Sequence, residues 1–188
     1  MPVVIFFWIL ELVICNFIKT IAVLKTLILI RHAKSSWDNP GLSDFDRPLN
    51  DRGKKDAPMM ADRLHERGIK VDAFITSPAK RAKRTAEQFA KRYKKEGGDL
   101  ILKTELYMAG DETFLKLMEK LDDKADCVVM FSHNPGITDF ANSLADVKID
   151  NIPTCGVFAV SIDAKKWSKV REAKKNFLFF DYPKALVE

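Results

Sequence analysis

The chain has 188 residues, 47% of them hydrophobic and 30% charged, with a formal net charge of +5. That is the scale of one domain with a sizeable core, and the mild excess of base favours anionic ligands by steering while being too small to indicate nucleic acid. Cys15, Cys127 and Cys155 lack any CxxC spacing, so they read as small apolar residues of a reducing cytoplasm, not as disulfides or zinc ligands.

Residues 3–18 are almost wholly apolar, interrupted by Glu11 and Asn16. The stretch is short for a membrane span of roughly 20 residues. It lacks the basic start and small-residue cleavage site of a signal peptide. Three readings follow: a weak anchor with Lys19 and Lys25 on the cytoplasmic side, an extra helix packed on the domain, or a start assigned too far upstream. The last is the expectation taken, with residues 1–23 as an extension and 24–188 as the domain.

Leu27-Ile28-Leu29-Ile30 is a buried strand. It ends in Arg31-His32, followed by a long polar loop over 34–49, and long loops in compact domains are often functional. Asn50 or Asp51 caps a helix to about Arg67, with Ala57, Met60, Ala61 and Leu64 at helical spacing and Gly68 as its end. Pro58 inside it predicts a kink, or a later start near Ala57. A second strand covers 71–76. Ser77 then serves as N-cap and Pro78 as first residue of a helix to about Lys94. A third strand covers 100–103, and a helix capped by Asp111 covers 111–121. A fourth strand at 127–131 ends in Ser132-His133-Asn134-Pro135-Gly136, before a helix over 137–145. Strands five and six fall at 156–162 and 177–180. This alternation predicts an α/β three-layer sandwich, a mainly parallel sheet of about six strands with helices on both faces.

Three segments share one grammar of apolar strand, polar cluster and helix. If strands one, two and four are parallel neighbours, Arg31, His32, Arg81 and His133 meet at one sheet edge. Ligands bind at the carboxyl ends of such strands. Arginine offers a planar, permanently charged fork to phosphoryl oxygens, and histidine is the natural nucleophile near neutral pH. His65, in mid-helix, reads as a surface or half-buried side chain. With only three histidines in the chain, a zinc site is not expected. The basic helix over 80–95 motivates a nucleic-acid binder, but no aromatic platform accompanies it.

The sequences Arg-His-Ala-Lys-Ser at 31–35, Ser-Pro-x-x-Arg-Ala-x-x-Thr-Ala at 77–86 and Ser-His-Asn-Pro-Gly at 132–136 resemble the histidine phosphatase, or phosphoglycerate mutase-like, superfamily. The match extends over 46–53 and 179–184 and is nearest in detail to its short SixA-type phosphohistidine phosphatases. The resemblance implies His32 as nucleophile, Arg31 and Arg81 as phosphoryl ligands, and His133 completing the pocket. Ser35, Asn134 and Lys34 are lesser candidate substrate contacts. No metal or cofactor is implied. Larger members carry a carboxylic acid that protonates the leaving group; Glu105, Asp44, Asp46 and Asp111 are unassigned candidates for it here.

A missing acid favours a phosphoramidate, because imidazole leaves already protonated and an alkoxide does not. The short segment after Tyr107 leaves little room for a lid. The expected function is a metal-independent phosphatase acting on phosphohistidine in a protein of signalling phosphorelay type. The alternatives are a phosphatase of small phosphomonoesters and a non-catalytic phospho-ligand binding module. The expected partner is a phosphorylated protein or a small phosphate ester, with no nucleic acid and no membrane unless 1–23 is a true anchor.

Overall fold

The computed structural model describes residues 24–95 and 100–185. The expectations for 1–23, and Cys15 with them, lie outside the described residues. No described helix is long and apolar enough to cross a membrane.

The described strands are β1 (Lys25–Arg31), β2 (Ala73–Thr76), β3 (Leu100–Leu102), β4 (Cys127–Ser132), β5 (Val157–Ile162) and β6 (Lys175–Asp181). They form one sheet in the order β3-β2-β4-β1-β5-β6. β1, β2, β3 and β4 pair in parallel, whereas β5 runs antiparallel to both β1 and β6. The β5–β6 connection carries a 3-10 turn at Trp167–Lys169 and no α-helix, and it returns β6 antiparallel beside β5. The helices are α1 (Asp51–Glu66), α2 (Lys80–Arg92), α3 (Asp111–Met118) and α4 (Gly136–Leu144).

Strand alternation sends neighbouring side chains to opposite faces, and both faces here are covered. Ile28, Ile30, Val129 and Phe131 pack with Ala57, Met60 and Leu64 of α1 and Ala86 and Phe89 of α2. Leu27, Leu29, Val128 and Met130 pack with Phe114 and Met118 of α3 and Phe140 and Leu144 of α4. This is the three-layer sandwich expected from the uninterrupted apolar strands.

Local differences have local causes. α1 starts at Asp51, where the Asn50 side chain accepts from the Gly53 N–H, and Pro58 is accommodated within it. α2 starts at Lys80 with Ala79 at its cap and no side-chain cap bond from that residue; the Ser77 hydroxyl accepts from the Ala79 N–H at 3.3 Å and also meets His133 Nε2. α3 is entered from Gly110, not capped by Asp111, and ends at Met118. His65 is exposed and meets the Tyr93 ring edge-to-face at 5.2 Å.

Candidate active site

β2, β4 and β1 are consecutive parallel strands, so their carboxyl ends lie side by side. In register, Arg31 faces Ser132 and Thr76 faces Phe131. The residue after β1 is therefore beside the residue after β4, and the His32 and His133 ring centroids are 4.9 Å apart. Arg81, on the first turn of α2, reaches back to the same point and donates from Nε to His32 Nε2 at 3.2 Å.

The loop backbone is fixed from several sides. Cys155, in a left-handed conformation at φ 63°, donates its N–H to the Arg31 and His32 carbonyls at 3.1 and 3.2 Å. The Ala33 N–H donates to Thr85 Oγ1 at 2.9 Å, and that hydroxyl donates to the Arg81 carbonyl at 2.7 Å. α1 approaches so closely that a Cβ at Gly53 would lie 2.2 Å from the Lys34 carbonyl oxygen. Only glycine permits that approach.

Two neighbours determine the His32 tautomer. Nδ1 lies 2.8 Å from the Ala33 carbonyl oxygen, which only accepts, so Nδ1 carries the proton. Arg81 Nε only donates, so Nε2 presents its lone pair. Burial, then His133, then the two arginines push the His32 pKa well below its usual 6.5, against the pull of Ala33. His133 falls to about 3, through burial and the charges of Arg81 and Arg31, opposed by Asp44. Both imidazoles are neutral at neutral pH. His133 Nε2 is 2.9 Å from Ser77 Oγ, and its buried Nδ1 has no hydrogen-bond partner among the described residues.

The lesser candidates separate. Arg31, His32, Lys34, Ser35 and Arg81 line one cavity of about 160 Å³, together with Trp37, Arg47 and Thr154. Asn134 is not on that lining: its amide donates to Asn151 Oδ1 at 2.5 Å and accepts from Thr138 Oγ1 at 2.9 Å. Ser35 Oγ accepts from Arg47 Nη2 at 2.6 Å. Arg31 Nη1 donates to the Ile152 carbonyl at 2.8 Å and to Asn151 Oδ1 at 3.2 Å. Burial, and then the nearby Arg81 charge, lower its pKa below the ordinary guanidinium value.

Sequence reasoning missed Arg47 and left Asp44 unassigned. Arg47 is buried, stacks over Trp37 with 3.2 Å from Cζ to the ring centroid, and donates to Asp44 Oδ1 at 2.8 Å. Asp44 Oδ2 accepts from Arg81 Nη2 and from the Tyr107 hydroxyl, each at 2.8 Å. Burial works to raise the Asp44 pKa, but Tyr107, Arg81 and Arg47 outweigh it and hold the carboxyl at about 2. Glu105 and Asp46 are exposed; neither they nor Asp111 hydrogen bonds to the site's basic groups among the described residues. The hints of Arg47 in the sequence were the long polar loop that carries it and its place in the 46–53 stretch of the resemblance. Among the described residues, no group of three or more His, Cys, Asp or Glu side chains could hold a metal ion.

The histidine phosphatase superfamily (branch 1) model matches residues 27–107. Over that span the chain is similar to the histidine phosphatase superfamily, and its fold is similar to that of SixA-type members. The crystal structure of the putative phosphohistidine phosphatase SixA from Agrobacterium tumefaciens is 26% identical with a TM-score of 0.70, covering 85% of this chain and 98% of that one. An uncharacterized protein of Mycobacterium tuberculosis is 25% identical over 169 residues, 82% of this chain and 100% of its own length. An uncharacterized chloroplastic protein of Arabidopsis thaliana is 43% identical over 61 residues, 32% of this chain; the match spans only 28% of that protein. The family model and the phosphatase structures that the chain resembles together mark it as a hydrolase of the phosphatase class.

Proposed function

We propose that residues 24–188 form a metal-independent phosphatase domain that takes the phosphoryl group of phosphohistidine in a protein onto His32 and delivers it to water. The observation that carries this reading is the state of Asp44. It is the one carboxylate hydrogen bonded to the site's basic groups among the described residues, and at about 2 its pKa leaves it ionised. It has no proton to give an alkoxide, so a phosphomonoester would leave unaided. An imidazole whose other ring nitrogen is protonated departs neutral.

In the first step the His32 Nε2 lone pair forms the bond to phosphorus, and the substrate's P–N bond breaks with its electron pair on the departing imidazole. Nδ1–H keeps its bond to Ala33. In the second step a water oxygen bonds phosphorus, the P–Nε2 pair returns to His32, and the water's proton passes to solvent. Arg31, Arg81 and the buried His133 stabilise charge on the equatorial oxygens.

The size of the site supports a protein-borne phosphoryl group. Its cavity of about 160 Å³ is well below the ~300–1,000 Å³ of pockets that enclose whole small ligands. Beside it stand exposed apolar side chains, Trp37 at 71% and Met108 at 84%, on the segments that carry Arg47 and Tyr107. Solvated apolar groups grouped at one mouth favour a protein surface as partner. Buried free thiols at Cys127 and Cys155 fit a reducing cytoplasm. The test compares kcat/KM for a histidine-phosphorylated protein with that for a panel of sugar, nucleotide and aryl phosphates. Preference for the phosphoprotein is expected; preference for the monoesters would overturn the substrate assignment.

A further inference from the structure

Arg81 has no idle nitrogen. Nε donates to His32, Nη1 to the Asp44 carbonyl and Nη2 to the Asp44 carboxylate. The other oxygen of that carboxylate accepts from Arg47. Two buried guanidinium groups thus close on one acidic side chain, and that side chain is half exposed, on a loop. The Tyr107 hydroxyl adds a third donor. Several charge-assisted donors around an anion are also what a phosphoryl group requires. Nη1 and Nη2 each retain a second N–H, so an oxyanion at His32 Nε2 can approach Arg81, but it shares the guanidinium charge with the Asp44 carboxylate until the two exchange.

We infer that Asp44 is a resident counter-anion that an incoming phosphoryl group displaces from Arg81 and Arg47, and that it sets the specificity of the site. When the competent state is one from which Asp44 has withdrawn, apparent affinity for any oxyanion is reduced by the fraction of that state. A ligand bringing only a phosphoryl group is held weakly. A protein that also contacts the rim at Trp37, Leu42 and Met108, all exposed, has further binding energy with which to drive the exchange. The inference rests on the pocket as a phosphoryl site, not on phosphohistidine as its substrate.

The contrary view makes Asp44 a positioning residue that aims Arg81, and the two differ in sign. Inorganic phosphate titrated into the wild-type protein and D44N, by calorimetry, is the direct probe. Release of a competing anion predicts phosphate binding tighter in D44N by about tenfold, the order expected when a dominant closed state is removed. Activity on small phosphomonoesters should rise relative to activity on the phosphoprotein. Tyr107→Phe, which removes one donor holding Asp44, should move phosphate affinity the same way by less, and it carries the test if D44N fails to fold. Unchanged or weaker phosphate binding in the folded variant overturns the inference. Tighter binding together with no wild-type turnover of phosphohistidine would uphold it and overturn the proposed substrate instead.

Discussion

β1 carries a cation at each end, and the two are treated differently. Lys25, at its start, is 1% exposed and fully partnered: Nζ donates to the Asp123 carbonyl at 2.5 Å, the Ala125 carbonyl at 3.1 Å and Asp126 Oδ1 at 2.7 Å. Arg31, at its end, donates only to a carbonyl and an amide oxygen, has a buried Nε without a partner, and forms no ion pair among the described residues. A charge withdrawn from water without a counter-charge is costly; Lys25 is buried and Arg31 half-buried. At Lys25 that cost is met within the fold; at Arg31 it is left standing beside Arg81, where an anionic ligand would relieve it. The amino end of the strand serves stability and the carboxyl end serves binding.

The largest effect expected from breaking this contrast is at Arg81. Arg81→Ala should lower kcat/KM by roughly 10²–10³-fold, the scale of losing one preorganised donor to the transition state. Arg81→Lys should not restore it, since an ammonium cannot reproduce the planar fork that grips phosphoryl oxygens. Steady-state kinetics on any turned-over substrate checks both.

Acid should distinguish the same end of the molecule. His133 titrates at about 3 in the fold against 6.5 ordinarily, chiefly because it is buried. Between those values the unfolded chain binds more protons, so this contribution to stability is complete above about pH 6.5 and is lost as pH falls toward 3. The change is on the order of a few kcal/mol for a shift of that size, and His32 adds in the same direction. Urea midpoints measured across that range should fall with pH, and less steeply in His133→Asn. Parallel curves for the two proteins would contradict the buried, neutral assignment.

Gly53→Ala should cost roughly 1–3 kcal/mol of stability, as overpacking does, and lower activity as well. The added methyl meets the backbone of the 33–35 segment, not a flexible side chain. Lys25→Met sharpens the comparison from the other end. It leaves the Asp123 carbonyl short of a donor while the Ala125 carbonyl keeps the Trp167 indole, for a loss of about 1–3 kcal/mol. Its kcat should equal that of the wild-type protein once folding is saturated; a reduced kcat would mean that the two ends of β1 are coupled.

The contrast also marks what the sequence makes legible. Arg31-His32 and Ser132-His133 follow unbroken apolar strands, so strand burial and parallel pairing together foretell their meeting. Arg81 is foretold by its place one turn into the helix after β2. Arg47 and Asp44 are not, because they reach the site through a loop whose path has no periodicity. The pairing of Asp44 with Tyr107 joins residues 63 apart in the chain. Ser77 is legible in part: its hydroxyl does accept from the Ala79 N–H at the helix start, and only the position of His133 across the strand ends reveals its second partner. Lys25 likewise looks like a solvent-facing strand flank until Asp126 and Trp167 are seen to enclose it.

The account stands most directly on whether His32 becomes phosphorylated. A protein bearing ³²P-phosphohistidine, mixed with the enzyme and quenched in alkali within milliseconds, should leave label on His32 that is stable to base, labile to acid and absent from His32→Asn. Turnover by His32→Asn at the wild-type rate, or wild-type turnover with no label on the enzyme at any time point, would contradict it.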